Sequence, residues 1–331
     1  MAKILVTGGA GYIGSVITER LLERGDTPIV LDNFSQGHRD AVPPGVEVVQ
    51  ADLAEELAVE QVFRRHAIEA VVHMAALSVV GESVRQPVRY YRENVALLLP
   101  LLDIMQRSGC RRVILSSTAA VYGEPSQVPI SEDCPAIPVN PYGWSKLMSE
   151  RILADTEGAA GAGDGDSFHF VSLRYFNVAG ATQNSGEMHH PETHLIPRVL
   201  EVALGERPHL ELYGSDYPTP DGTCIRDYIH VEDLAEAHLL ALDRTRAASG
   251  IYNLGNSRGY SVREVIECAA RVTQQKIPIE KHPRRAGDPP QLVASHRKAA
   301  EELGWRPRRG LEEMIASAWE WRRRHPRGYA K

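Results

Sequence analysis

A chain of 331 residues is long for a single core, so its length points to two lobes. With 43% apolar and 24% charged residues it has the composition of an ordinary globular protein, and a net charge of −6 disfavours a nucleic-acid partner. No run approaches the ~20 apolar residues that span a bilayer. The four cysteines, Cys110, Cys134, Cys224 and Cys268, lie far apart without a C-x-x-C pair, which predicts reduced thiols and a cytoplasmic protein.

Met1-Ala-Lys3 leads straight into a strand pattern, Lys3 to Val6, which predicts no signal peptide. A helix follows from Ser15 to Arg24, stopped by Gly25. Further strands are expected at Pro28–Leu31, Val46–Gln50 and Ala70–Ala75, with a helix from Glu55 to His66 between the last two. A long helix is expected from Val88 to Arg107, then strands at Arg112–Ser116 and Phe168–Arg174. Strands alternating with helices of this length predict a Rossmann-like, doubly wound parallel sheet, an α/β fold. The stretch from Gly158 to Asp166 reads as a flexible insertion. After Gly180 the rhythm loosens, with helices near Leu195–Leu204, Val231–Asp243, Val262–Thr273 and Leu311–Arg322. This predicts a smaller mixed α/β lobe over residues 181–331, some of it returning to a first domain of residues 1–180.

Between the first strand and helix, Thr7-Gly-Gly-Ala-Gly-Tyr-Ile-Gly14 places glycines at 8, 11 and 14. Gly8 suits the tight turn, Gly11 lets backbone N–H groups approach a pyrophosphate, and Gly14 lets helix and sheet pack closely. Asp32 ends the second strand, where a carboxylate accepts both hydroxyls of an adenine ribose and repels a 2′-phosphate. The pair of features predicts NAD rather than NADP. Asp52, at the end of the third strand, reads either as an adenine ligand or as a helix cap.

In Asn140-Pro-Tyr-Gly-Trp-Ser-Lys146, Asn140 is a good N-cap and Pro141 suits the first helical position. Tyr142 and Lys146 then share a face one turn apart. An ammonium beside a phenol lowers its pKa and makes it a general base, although such a pair is far more often two neighbours on a helix. Ser116-Ser-Thr-Ala-Ala-Val-Tyr-Gly123 leaves the C-terminal end of a parallel strand, where ligands bind, and places the Thr118 hydroxyl there.

Five motifs now stand in order: T-G-G-A-G-Y-I-G, S-S-T-A-A-V-Y-G, N-P-Y-G-W-S-K, L-R-Y-F-N-V-A-G and R-D-Y-I-H-V-E-D-L-A. Together with Tyr213 to Gly222 and Arg284 to Asp288 they resemble the extended short-chain dehydrogenase/reductase family, most closely its UDP-glucose 4-epimerases, from residue 3 to about residue 328. The resemblance implies a reversible 4-epimerisation of a UDP-sugar through a transient 4-keto sugar, serving galactose metabolism and nucleotide-sugar supply. It implies Tyr142 as base, Lys146 as its pKa tuner and ribose ligand, and Thr118, where many members have serine, as hydroxyl partner. It implies NAD contacts at Gly8, Gly11, Tyr12, Ile13, Gly14, Asp32, Asn33, Asp52, Leu53, Met74, Ala75, Ala76, Asn94 and Phe176. Asn177, His194, Leu195, Tyr213, Arg226, Arg285 and Asp288 would hold the UDP-sugar, the arginines pairing with its diphosphate.

A nucleotide-sugar dehydratase on the same fold needs an acid and a base after the threonine, and Ala119 and Ala120 transfer no protons. A silent NAD-binding scaffold is the rival from another class, against which Thr118, Tyr142 and Lys146 stand. Epimerases of N-acetylhexosamines, pentoses or uronates remain within the pattern, Leu292 standing near the position that gates bulky sugars. His189, His190 and His194 cluster in H-H-P-E-T-H, but a helix opened by Pro191 in a polar loop argues for no metal. The helices Val88–Arg107 and Pro141–Asp155 are those through which relatives pair, which implies a homodimer.

Overall fold

The first β-branched runs and the helices between them build one parallel sheet. In chain order come β1 (Lys3–Thr7), α1 (Tyr12–Glu23), β2 (Thr27–Asp32), β3 (Glu47–Gln50), α2 (Glu56–Arg65) and β4 (Ala70–His73). Then follow α3 (Val80–Arg85), α4 (Pro87–Tyr91), α5 (Leu98–Arg107), β5 (Arg112–Thr118), α6 (Pro141–Ala160) and β6 (His169–Tyr175). The computed structural model describes residues 1–160, 167–285 and 288–329.

The long helix expected from Val88 to Arg107 is broken. Between α4 and α5 the chain makes a π-helical turn, Arg92–Ala96. Pro100 has no N–H to give the carbonyl of Ala96 and its ring crowds that carbonyl, so a regular α-helix cannot pass through this point. At the flexible insertion, α6 continues through Ala160, so its first three residues are helical rather than loop. The remainder, residues 161–166, lies outside the described residues.

After β6 come β7 (Asn177–Ala179), α7 (Leu195–Ala203), β8 (Leu210–Tyr213), β9 (Ile225–His230), α8 (Val231–Arg244) and β10 (Gly250–Leu254). The seven-stranded sheet has the order β10-β6-β5-β4-β1-β2-β3 with every pairing parallel. Thus β10, from late in the chain, forms one edge of the first sheet. One face is covered by α1 and α8, whose Val16, Ile17, Leu21, Leu234 and Ala235 are fully buried against Ile4, Val6 and Val72. The other face packs under α2 and α5 through Val59, Val62, Leu101 and Met105. A sheet buried on both faces reads as continuous apolar strands, which is what β1 and β4 are. Order reverses between β1 and β4, and that switch point opens a crevice at the C-terminal strand ends.

The chain ends with β11 (Gly259–Ser261), α9 (Val262–Thr273), β12 (Ile279–His282), β13 (Gln291–Leu292), α10 (Arg297–Glu302) and α11 (Leu311–Arg324). Here a four-stranded sheet, β11-β9-β13 with β7 on β9, packs with α7, α9 and α11 around Ile196, Val199, Val265, Met314 and Ile315. The N-terminus of α9 closes with a capping box between Ser261 and Glu264. Among the described residues no helix is long and apolar enough to cross a membrane.

Candidate active site

The glycine turn sits at the switch point. Gly8 has φ +68°, and a Cβ there would lie 2.6 Å from the backbone nitrogen of Ala75, so β1 and the end of β4 meet only because the residue is glycine. A Cβ on Gly14 would lie 2.3 Å from the Gly8 carbonyl oxygen, which is why α1 can start so close to the strand. Gly11 is the N-cap of α1 with no capping side chain, and no acidic residue occupies the first turn. The helix therefore presents uncapped N–H groups and its positive dipole end, a fit for a pyrophosphate.

Asp32 is 6% exposed and accepts N–H bonds from Ala10, at 2.9 Å, and Phe34, at 2.8 Å. Burial raises its carboxyl above the ordinary value while those two bonds oppose the rise. Asn33 donates to Asp52 at 2.6 Å, joining the ends of β2 and β3. Asp52 also accepts from Ala54 N–H at 2.8 Å in the turn before α2, whose N-cap is Glu55 rather than Asp52. Met74, Ala75 and Ala76 follow β4 directly, Met74 donating to the Thr7 carbonyl at 3.0 Å. Leu53 lies in the apolar core and Tyr12 donates to the Gly180 carbonyl at 2.6 Å; Ile13 packs beside it on the α1 core.

Asn94 is 2% exposed, and its carboxamide is committed within the protein. It accepts from Leu77 N–H at 2.8 Å and donates to the Leu77 carbonyl and to Ser145, each at 3.0 Å. The π-turn thus fastens the segment after β4 to α6, and the residue acts on any ligand through what it positions.

Asn140 caps α6 by accepting from Gly143 N–H at 2.9 Å, as its sequence predicts. Tyr142 and Lys146 follow one turn apart, and Thr118 ends β5 with its hydroxyl accepting from Ala120 N–H at 3.1 Å. Lys146 is 2% exposed; burial pulls its ammonium down to about 8, with Glu150 resisting. His73, hydrogen-bonded to Thr7 at 2.9 Å, is kept neutral by burial and by Lys146. For Tyr142 the expected direction is reversed. Burial raises the phenol above its ordinary value, and the Thr118 hydroxyl opposes this. Desolvation of a phenolate outweighs one ammonium that is itself poorly solvated.

Beneath this pair lies a group the motifs did not reveal. Arg174 donates twice to Glu150, at 2.9 and 2.6 Å, with both side chains almost fully buried. Ser117 donates to the same carboxylate at 2.5 Å, and Arg174 reaches Tyr122, which donates to Asn253 at 2.7 Å. This network ties β5, α6, β6 and β10 together one helical turn from Lys146. Ser117, Tyr122 and Arg174 sit inside two of the quoted motifs, but Glu150 and Asn253 lie outside them, and only tertiary adjacency makes the five partners.

Phe176 is buried beside Ala119 and Leu292. Asn177 donates to the Asp227 carbonyl at 2.9 Å, next to Arg226, and Arg226 pairs with Asp288. The Arg285 guanidinium stacks 4.1 Å over the Tyr213 ring. A cavity of about 550 Å³ opens between Glu124 and Val128 on one side and Tyr217, Arg284, Arg285 and Asp288 on the other. Tyr217 and Arg284, themselves stacked at 4.4 Å, line it and were not singled out from the sequence. Leu195 opens α7, packed on the second core. His194 instead lies with its Nδ1 2.7 Å from Glu187, in a cluster with His189 and Glu192. The helix expected from Pro191 starts only at Leu195, because the Glu192 carboxylate takes the N–H groups of Thr193 and His194 into a turn.

Residues 4–255 match the NAD dependent epimerase/dehydratase family. The chain is 50% identical over 329 residues to the UDP-glucose 4-epimerase of Streptomyces lividans, covering 99% of this chain and 98% of that one. It is 46% identical to a UDP-glucose 4-epimerase of known crystal structure, with TM-score 0.95 over 99% of this chain and 100% of the other. The UDP-glucose 4-epimerase of Bifidobacterium longum in complex with NAD+ and UDP is 38% identical, with TM-score 0.93 over 99% of this chain and 100% of its own. With a glycine turn at the switch point, a Tyr-Lys helix beside it and this extent of likeness, the chain belongs to the NAD dependent epimerase/dehydratase family.

Proposed function

We propose that this chain is an NAD-dependent UDP-glucose 4-epimerase, interconverting UDP-glucose and UDP-galactose. The observation that carries the reading is the placement of Thr118 at the end of β5 beside the Tyr142–Lys146 helix, in a chain whose second lobe carries a cavity lined by Arg284 and Arg285. NAD, when bound, would supply a reversible hydride acceptor for the sugar C4, so that hydride could leave one face and return to the other with no net change in the cofactor.

Gly8, Gly11, Tyr12, Ile13 and Gly14 cradle the pyrophosphate; Asp32 and Asn33 take the adenine ribose, with Asp52 and Leu53 at the adenine. Met74, Ala75, Ala76 and Phe176 border the dinucleotide, and Asn94 positions that border. Tyr142 removes the proton from the sugar 4-hydroxyl and later restores it, while Thr118 hydrogen-bonds the same oxygen. The phenol, raised by burial, needs positive charge beside it to ionise; Lys146, one helical turn away, would supply it and would hold the ribose of NAD. Arg226 and Arg285 hold the diphosphate, with Asp288 orienting Arg226 through their ion pair. Asn177, Leu195 and Tyr213 line the nucleotide end. Anchoring the substrate by its diphosphate leaves the 4-keto sugar free to turn between the two transfers.

Residues 1–180, with the returning segment 231–254, act as the NAD module and the rest as the sugar lobe. Val84, Val88, Leu99, Trp144 and Met148 are exposed along α3 to α6, a face suited to homodimer formation. The absence of paired cysteines among the described residues fits a cytoplasmic setting. Incubation with UDP-galactose and separation of products tests the activity: UDP-glucose is expected. A 4-keto-6-deoxy product would assign a dehydratase, and no turnover a silent NAD-binding protein.

A further inference from the structure

Between Gly180 and α7 the chain runs as a strap, and four of its side chains turn towards one point. We propose that Glu187, His189, Glu192 and His194 form a zinc-binding site outside the Tyr142 centre.

One donor atom from each of the four lies within 4.8 Å of all the others. His189 Nδ1 stands 3.3 Å from Glu187 and 3.6 Å from Glu192, and His194 Nδ1 stands 2.7 Å and 3.4 Å from the same carboxylates. Donors held ~2.0–2.2 Å from zinc at tetrahedral corners are roughly 3.3–3.6 Å apart, so three of the four imidazole–carboxylate spacings already sit close to the edges of a zinc tetrahedron, and the His194–Glu187 pair would open by less than ~1 Å. Two imidazoles and two carboxylates suit a borderline ion, whereas calcium and magnesium prefer oxygen alone. The two carboxylates also balance the dication.

A plain ion-pair cluster is the competing account, and the setting of the His189 Nδ1 atom weighs against it. Its Nδ1 is buried and makes no hydrogen bond, although two carboxylate oxygens lie within 3.6 Å. A buried nitrogen beside acceptors but bonded to none is costly unless something else fills the gap. A shared cation does so.

The surroundings hold the donors in place. Glu187 and Glu192 are 8% and 7% exposed, and Glu192 is oriented by the N–H groups of Thr193 and His194. Gly186 donates to the Tyr329 hydroxyl at 2.9 Å, and the Met188 carbonyl lies 3.3 Å from His38, so the strap is pinned at both positions. The His194 side chain is half exposed, which leaves an entry path for the ion. The ion would cross-link the strap to the start of α7.

The full chain, purified without chelator from zinc-supplemented medium and dialysed, is expected to carry about one zinc per molecule by elemental mass spectrometry. His190→Gln, outside the cluster, keeps the metal; the double variant Glu187→Gln/His189→Gln loses it while retaining wild-type circular dichroism. Should the double variant not fold, cobalt exchange into the unaltered protein decides: a strong visible band of four-coordinate cobalt is expected, and a chelator lowers the melting temperature. A protein that takes up neither zinc nor four-coordinate cobalt overturns the assignment, as does zinc retained by a folded double variant.

Discussion

Changing Tyr142 to phenylalanine removes one oxygen and leaves the ring. The ring keeps its edge contact with Tyr90 at 6.4 Å between centroids, and the group lost is a hydroxyl whose polar neighbour is Thr118. Losing that one buried hydrogen bond costs about 1 kcal/mol of stability, partly offset because a hydroxyl no longer has to be desolvated. The glycine turn and Asp32 are untouched, so NAD should remain bound. The chemistry fares differently: a positioned general base is worth roughly 10²–10⁴ in rate, equivalent to ~3–5 kcal/mol on the barrier. The assay is turnover of UDP-galactose to UDP-glucose, coupled to detection of UDP-glucose, with NAD content and thermal melting measured on the same preparation. The expected result is a drop of at least 100-fold in kcat with KM little changed, since the diphosphate contacts are intact. Near-normal kcat in a folded, NAD-loaded Tyr142→Phe protein would refute the role given to this residue.

Glu150→Gln removes the charge that balances a buried arginine. With Arg174 left nearly fully enclosed, the loss should be about 3 kcal/mol or more in the denaturant unfolding free energy. The pH profile of turnover should move to lower pH too, because Glu150 is what resists the fall in the Lys146 pKa; an unchanged midpoint and profile would dismiss the network. Acid should weaken the fold through its buried histidines. Burial depresses His73 to about 3 and His230 and His238 each to about 4, against an ordinary 6.5. Below pH 6.5 the unfolded chain takes up protons that the folded chain refuses, so stability falls with pH, at up to ~1.4 kcal/mol per unit for each histidine and ~3 kcal/mol for the three between about pH 6 and pH 5. Equal denaturant midpoints at the two pH values would contradict the buried, neutral state of the three.

Much of the dinucleotide half could be read along the chain because its signals are local. A glycine turn, a strand-ending aspartate and an N-cap followed by proline each act within a few residues, and β1, α1 and the start of α6 lie where those residues put them. The broken helix at Arg92–Ala96 was also written locally, in Pro100, but the apolar run around it masked the effect of one missing N–H. The turn at Glu192 was harder to read, since a carboxylate that captures two N–H groups looks in sequence like any first-turn glutamate.

What lay out of reach was distance. The buried pair of Arg174 and Glu150 joins residues 24 apart, and Arg226 meets Asp288 across 62. Tyr217 and Arg284 line one cavity only because the loops around β8 and β12 come together. The direction of the Tyr142 shift depends on burial, a property of the assembled pocket that no spacing records. The sequence by itself determined six of the seven strands of the sheet, the glycine turn and the Tyr142–Lys146 helix, because hydrogen bonding and periodicity act between near neighbours. The tertiary structure decided which distant charges pair, how deeply Tyr142 is desolvated and that Glu187, His189, Glu192 and His194 face one another, because those outcomes rest on packing between elements far apart in the chain.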